Sequence, residues 1–348
     1  MLESNSRTEL SELGEFGLIH KIKEAVELKN PSTIKGIGDD AAEINFDANP
    51  CLVSTDMLVE GVHFDLTYVP LRHLGYKAAV VNFSDIYAMN GKPTQILVSI
   101  AISNRFSVES IEELYSGILL ACKKYNVDLV GGDTTSSPSG LTLSITVLGT
   151  AIKEKIVYRS GALEKNLICV SGDLGGAYMG LQILQREKKV YLENPQLQPD
   201  LEGNDYILER QLKPEARKDI VEMLDQMNVL PTSMIDISDG LASEIIHICK
   251  ESGTGCNLYE EKIPIDTQTM ERAFQFNLDP SICALSGGED YELLFTVPID
   301  QYDKIANNPD ITVIGHITDK NSGMNFITKD GKQHQLTAQG WDAFLNKN

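Results

Sequence analysis

Five short acidic motifs hold the residues best suited to chemistry in this chain. They read Gly36-Ile-Gly-Asp-Asp40, Ser54-Thr-Asp56, Asn82-Phe-Ser-Asp85, Gly131-Gly-Asp-Thr-Thr135 and Asp236-Ile-Ser-Asp-Gly240. Each sets carboxylates beside glycine, serine or threonine, mostly next to an apolar run. Carboxylate oxygens are hard ligands that suit Mg²⁺, and glycine lets a backbone approach a phosphate closely. A fold that gathered several of these motifs would hold a polynuclear magnesium site, and such sites serve phosphate chemistry.

Taken singly, each motif has a plainer reading. Gly36–Asp40 alone reads as a turn, because glycine and aspartate favour turns by themselves. Ser54-Thr55-Asp56 closes an apolar strand and could share one cation or cap a helix. Asp85 differs, since it lies inside an apolar helical segment where an unpaired carboxylate is costly to bury; a charge partner or a metal is expected unless it faces water. Gly131–Thr135 ends a strand, the usual ligand position in α/β architectures. Asp236–Gly240 joins a strand to a helix, and Asp239 can cap that helix. A Walker A sequence and a His-Arg-Asp catalytic loop are both absent, so phosphate transfer would need another scaffold. Ser171-Gly-Asp-Leu-Gly-Gly176 misses the dinucleotide spacing and reads as a tight strand-to-helix turn.

Apolar periodicity supplies the elements that must position these motifs. Helices are expected at about 15–28, 71–90 and 108–125. Strands are expected at 51–56 and 94–103, at 128–130 just before Gly131-Gly132-Asp133, and at 141–152. Composition turns polar at 153–165, so domains are expected at 1–152 and 153–348. Beyond the boundary, a strand at 167–170 leads to a helix ending near 187. The polar stretch 188–206, with Pro195 and Pro199, reads as a surface excursion. A helix at 214–227, a strand at 234–237 and a helix stopping at Gly253 follow.

The 348 residues suffice for two cores. Thirty basic against 50 acidic residues give a net charge of −20, which argues against nucleic acid, whose phosphates need a basic footprint. Nucleotides remain open, because Mg²⁺ can neutralise them. Six cysteines include no CxxC pair, so zinc is not expected, and most read as small core residues. The amino-terminal sequence lacks a signal pattern, and no apolar run approaches the roughly 20 residues of a membrane span. A cytoplasmic protein with reduced thiols is expected.

Further segments complete a pattern. Glu60-Gly-Val-His-Phe64 follows Ser54-Thr-Asp56, and the second motif extends as Val81-Asn-Phe-Ser-Asp-Ile-Tyr-Ala-Met89. Tyr158-Arg-Ser-Gly161, Ser286-Gly-Gly-Glu-Asp-Tyr-Glu292 and Gly340-Trp-Asp-Ala-Phe344 follow in order. Together the set closely resembles the thiamine-monophosphate kinase family, of the aminoimidazole ribonucleotide synthetase-like superfamily, over nearly the whole chain. The resemblance implies ATP-dependent phosphorylation of thiamine monophosphate to thiamine diphosphate. It implies an α/β (α+β) two-domain fold, with the amino-terminal sheet forming a barrel across a homodimer and the carboxy-terminal sheet packed with helices. Asp40, Ser54, Thr55, Asp56, Asp85, Asp133, Asp236 and Asp239 match magnesium ligands. Gly132, Asp133, Arg159 and Ser238 match ATP contacts. His63, Glu289 and Trp341 match the thiamine-phosphate pocket, where an indole face suits the cationic thiazolium. Tyr115 would lie near the adenine. The main departures from the family pattern are Tyr87-Ala-Met-Asn90 and the 188–206 excursion. Two other readings are another ATP-dependent synthetase of the superfamily and a non-catalytic magnesium–nucleotide binder.

Overall fold

The computed structural model describes residues 18, 21–35, 37, 43–47 and 49–338. Of the expected helix at 15–28, residues 18 and 21–25 are helical, but the helix stops at 25, short of the expected end at 28; Asp40 and Trp341 lie outside the described residues. The chain divides into two compact units, 1–86 with 91–153, and 87–90 with 154–348. Among the described residues no helix is long and apolar enough to cross a membrane.

The first unit is built on a four-stranded sheet in the order β3-β6-β4-β5. Its strands are β3 (Cys51–Val59), β4 (Lys92–Ile102), β5 (Asp128–Ser136) and β6 (Leu141–Thr150). A small ribbon, β1 (Thr33–Lys35) with β2 (Glu43–Ile44), precedes them. Residues of β6 alternate buried and half-buried along its length, as a sheet with one covered face requires. Helices α1 (Leu71–Ala88) and α2 (Val108–Tyr125) supply much of the core. They cross tightly: a Cβ on Gly75 would stand 2.0 Å from the Leu114 carbonyl oxygen, and one on Gly117 would stand 1.9 Å from that of Arg72. Tyr115 is buried on the apolar face of α2, among the core residues of this unit.

Strand β5 corrects the sequence reading. It continues through Ser136 in parallel register with β4, so Gly131–Thr135 lie within the strand instead of ending it. The Asp128 carboxylate anchors the segment before the first acidic motif. Fully buried, it accepts the Lys29 N–H at 2.6 Å, the Asn30 N–H at 3.0 Å and the Thr33 hydroxyl at 2.6 Å.

The second unit centres on a seven-stranded sheet whose strands, in spatial order, are Gln333–Gln335, Met324–Ile327, Gly255–Tyr259, Ile311–Thr318, Leu167–Ser171, Leu293–Val297 and Ser233–Asp236. The strands used below are β7 (Leu167–Ser171), β8 (Ser233–Asp236) at one edge, and β10 (Leu293–Val297) between them. Helix α3 (Gly176–Glu193) outruns the expected end near 187. The excursion therefore shrinks to 194–204 before α4 (Asp205–Leu212) begins. Helix α5 spans Lys218–Gln226 and α6 spans Leu241–Ser252. Helix α6 ends on Gly253 in the left-handed region, as the sequence indicates, but starts from Gly240 with no side-chain cap; Asp239 does not cap it.

Candidate active site

In the first unit, alternation along β3 sorts the Ser-Thr-Asp motif onto two faces. Ser54 and Asp56 face α1, and the Ser54 hydroxyl donates to Asp85 Oδ2 at 2.6 Å. This answers how an acid survives in an apolar helix: it is half-buried at the sheet's edge and hydrogen-bonded. Because β3 is an edge strand, part of its backbone lacks a strand partner. The Asp56 N–H goes to Asn82 Oδ1 at 3.1 Å, and fully buried Asn82 donates to the Ala78 carbonyl at 3.0 Å. Asn82, three residues before Asp85, thus fixes α1 to β3; its place in the Asn-Phe-Ser-Asp motif was the available signal. Burial, and then the nearby Asp85 charge, push the Asp56 carboxyl up to about 6. Crowded carboxylates with a raised proton affinity are a hard-oxygen donor set that a cation would suit.

Thr55 is not brought to this cluster. Its hydroxyl donates to the Ile145 carbonyl at 3.1 Å and pairs with the Thr146 hydroxyl at 3.0 Å on the other face. The register sets Asp133 in one row with Ser99, Ser144 and Met57, also on that face. Gly132 is demanded by packing, since a Cβ there would stand 1.8 Å from the Val98 carbonyl oxygen. His63 Nδ1 accepts the Val59 N–H at 3.0 Å, which leaves the proton of the neutral ring on Nε2.

In the second unit, two of the sequence motifs interlock. Beyond β8 the backbone pairs on with 289–292: Ile237 N–H to the Glu292 carbonyl at 2.8 Å, Tyr291 N–H to the Ile237 carbonyl at 2.9 Å, and Glu289 N–H to the Ser238 carbonyl at 2.7 Å. Glu289 and Tyr291 have φ of 59° and 53°, a costly state for residues with side chains, and one that persists where surrounding bonds over-determine it. Gly240 and Gly288 permit the contact. A Cβ on the first would stand 2.7 Å from the Leu285 carbonyl oxygen, and on the second 2.6 Å from that of Ser238.

Buried ions brace this loop pair. Asp290 accepts the Gly175 and Ala177 N–H groups at 2.8 and 3.3 Å, at the start of α3. Glu292 accepts from Ser171 Oγ at 2.5 Å, from Arg210 Nη1 at 2.8 Å and from Arg217 Nη1. Burial pushes the Asp290 carboxyl up, while Arg210 and the two N–H groups pull it down. Gln211 Nε2 donates to Glu289 Oε2 at 2.8 Å. Arg210, Gln211 and Arg217 escaped the sequence reading, which left 207–213 unassigned and saw only a helix at 214–227. Two arginines seven residues apart beside a short amphipathic stretch were the available signal.

Asp236 is buried at the end of β8, and Asp239 follows in the loop. Glu244, on the first turn of α6, accepts the Asp239 N–H at 3.1 Å. Burial first, then Asp239 and Asp236, raise its carboxyl to about 9. Arg159 is exposed and acts with burial to lower the His247 pKa, against Asp239. Acids at Asp236, Asp239 and Glu244 and the cation of Arg159 thus act on neighbouring segments of this unit.

Residues 38–151 match the family model described as AIR synthase related protein, N-terminal domain. Hydrogenase maturation protein HypE in complex with ATP has the same fold, with a TM-score of 0.69 at 17% identity over 92% of this chain and 94% of that one. A mixed α/β fold with interlocked acidic loops therefore puts the chain among the AIR synthase-like proteins. The thiamine-monophosphate kinase of Aquifex aeolicus is 34% identical over 335 residues, 96% of this chain and 99% of that protein. The Bacillus subtilis enzyme of that name is 33% identical over 340 residues, 95% and 100% of the two chains. A solved structure described as AaThiL complexed with AMPPCP and TMP aligns with a TM-score of 0.73 at 33% identity, over 98% of this chain and 100% of that one. The chain belongs to the thiamine-monophosphate kinase family.

Proposed function

We propose that this enzyme transfers the γ-phosphoryl group of ATP directly to thiamine monophosphate, giving thiamine diphosphate and ADP. The observation that carries the reading is the convergence of Ser54, Asp56 and Asp85, where two carboxylates crowd and one is driven up to about 6. That donor set fits Mg²⁺, a hard ion that takes oxygen ligands. In our reading Asp40, Ser54, Thr55, Asp56, Asp85 and Asp133 of the first unit hold magnesium, and so do Asp236 and Asp239 of the second. Thr55 Oγ and Asp133 face away from the Ser54–Asp85 pair, which favours more than one ion. When bound, Mg²⁺ would neutralise charge between two polyanions that otherwise repel.

The chain's own groups have the remaining tasks. Gly132, Asp133, Arg159 and Ser238 are assigned to ATP; the guanidinium suits phosphate oxygens. His63, Glu289 and Trp341 are assigned to thiamine monophosphate. The acceptor oxygen is already anionic at neutral pH, so no general base or phosphoenzyme is needed. We assign 1–152 to ATP, magnesium and dimerisation, and 153–348 to completing both substrate sites.

A homodimer belongs to the same reading. The exposed face of the four-stranded sheet presents Val53 and Met57, 62% and 58% exposed, in line with a covered barrel interior. Six free thiols suit the cytoplasm. The test is ADP release with thiamine monophosphate, formylglycinamidine ribonucleotide or selenide as acceptor. Release should need thiamine monophosphate and Mg²⁺ together. Turnover with another acceptor alone would move the chain within the superfamily, and nucleotide binding without turnover would make it a regulator.

A further inference from the structure

Gln211 is left without a role by the assignments above, yet it holds a residue of the proposed thiamine pocket. It is 5% exposed on α4, and its Nε2 donates to Glu289 Oε2 at 2.8 Å. Its own place is fixed from behind. Helix α4 lies so close to α3 that a Cβ on Gly180 would stand 2.1 Å from the Ile207 carbonyl oxygen and 2.8 Å from Gln211 Cβ. Arg210, the preceding residue, ties the same helix to the loop, donating to the Asp290 carbonyl at 3.2 Å and to Glu292 Oε1 at 2.8 Å. Glu289 is therefore gripped twice, its backbone N–H by the Ser238 carbonyl at 2.7 Å and its carboxylate by Gln211. The acids of this loop differ in what holds them. Asp290 and Glu292 are matched by arginine. The Gln211 amide is a neutral donor, so it orients the Glu289 carboxylate without itself cancelling the charge. An anion preorganised in this way suits a cationic ring.

We propose that Gln211 is a positioning residue for the acceptor substrate: its amide aims the Glu289 carboxylate at thiamine monophosphate, and so sets the affinity for that substrate and not for ATP. The proposal rests on the reading that Glu289 meets thiamine monophosphate, and adds the group that orients it. A glutamate side chain has several rotamers, and selecting one on binding costs entropy. The hydrogen bond from Gln211 meets that cost during folding. The cationic acceptor then encounters an anion already in place.

Gln211→Met tests this on the full chain. Methionine keeps the length of the side chain and removes the amide donor. The KM for thiamine monophosphate should rise about tenfold, as expected for losing one hydrogen bond to a charged group, with kcat and the KM for ATP preserved. An unchanged KM for thiamine monophosphate, with or without a fall in kcat, would overturn the proposal and leave Gln211 a brace between helix and loop. Equal rises for both substrates would overturn it too, because a general loosening of α4 would then be the cause. Should Gln211→Met fail to fold, Gln211→Asn, which withdraws the amide by one methylene, must raise the same KM. Glu289→Ala separates the proposal from the reading beneath it. If Glu289→Ala leaves the KM for thiamine monophosphate unchanged, Glu289 lies outside the pocket and both fall. If Glu289→Ala raises that KM and Gln211→Met does not, only the Gln211 proposal falls. In the double variant, Gln211→Met should add nothing to the loss from Glu289→Ala, since the two side chains act as one unit. Losses that multiply would overturn the proposal by showing that Gln211 acts elsewhere.

Discussion

Replacing Asp56 by asparagine should stabilise the metal-free protein while crippling it as an enzyme. The carboxyl is driven from 3.8 to about 6, first by removal from water and then by Asp85. An acid whose folded pKa lies above its unfolded value adds stability below the unfolded pKa and loses it as pH rises through the folded one. Between pH 4 and 6 the native state therefore gives up a proton it prefers to keep, and by pH 7.5 the whole cost is present. Taken at face value the shift is worth about 3 kcal/mol. Much of the Asp56 side chain still meets solvent, so screening cuts this to roughly half. About 1.5 kcal/mol corresponds to a melting temperature higher by roughly 3–6 °C for a unit of this size. Asn82 holds the strand through the Asp56 backbone N–H, which asparagine retains. Calorimetry at pH 7.5 and pH 4.5 without metal provides the assay. The gain should appear at pH 7.5 and shrink to about a third of that at pH 4.5, and added Mg²⁺ should stabilise the variant less than the wild type. A variant destabilised equally at both pH values would refute the reasoning, because Asp56 would then be holding the fold rather than awaiting a cation.

Asp85→Asn keeps an acceptor for the Ser54 hydroxyl, so it should fold normally yet lose most turnover at saturating Mg²⁺ and ATP; a wild-type rate would remove Asp85 from the site. Trp341→Ala should raise the KM for thiamine monophosphate about 5- to 150-fold, from the roughly 1–3 kcal/mol of an aromatic stack, and leave the KM for ATP nearly unchanged. Equal losses for both substrates would make Trp341 a structural pin. Val53→Glu with Met57→Glu should turn a dimer into a monomer in sedimentation while each chain stays folded; dimers that persist would free that face from the interface.

Regular periodicity was legible wherever one face alone was buried. Helix α2 matches its expected bounds, 108–125, because its apolar stripe and Ser107 cap are local signals. The alternation of β6 was equally plain. What escaped depends on contacts far along the chain. Strand β5 runs on through two glycines because β4 lies beside it in register, and glycine's usual reading as a strand end fails there. Residues 207–212 drew no reading because the partners of Arg210 and Gln211, Glu292 and Glu289, lie some 80 residues on. The acidic motifs were legible as a set, but not the sorting of Ser54 and Thr55 onto opposite faces in relation to α1, which needs the strand's orientation.

The stretch 195–203 is exposed throughout, whereas α4, which follows it, is anchored by Arg210 and Gln211 and packs closely on α3 at Gly180. The exposed segment is thus a tether slung between two fixed posts. Its length is free to vary without disturbing what hangs at either end, since closing a somewhat longer loop adds little entropy. It is the natural place to graft a reporter or a protease site. A chain cut there would remain a single body, its halves held by the arginine–glutamate lattice beneath the loops, and severing the tether would reveal how much of the site's order resides in that lattice instead of in the continuity of the backbone.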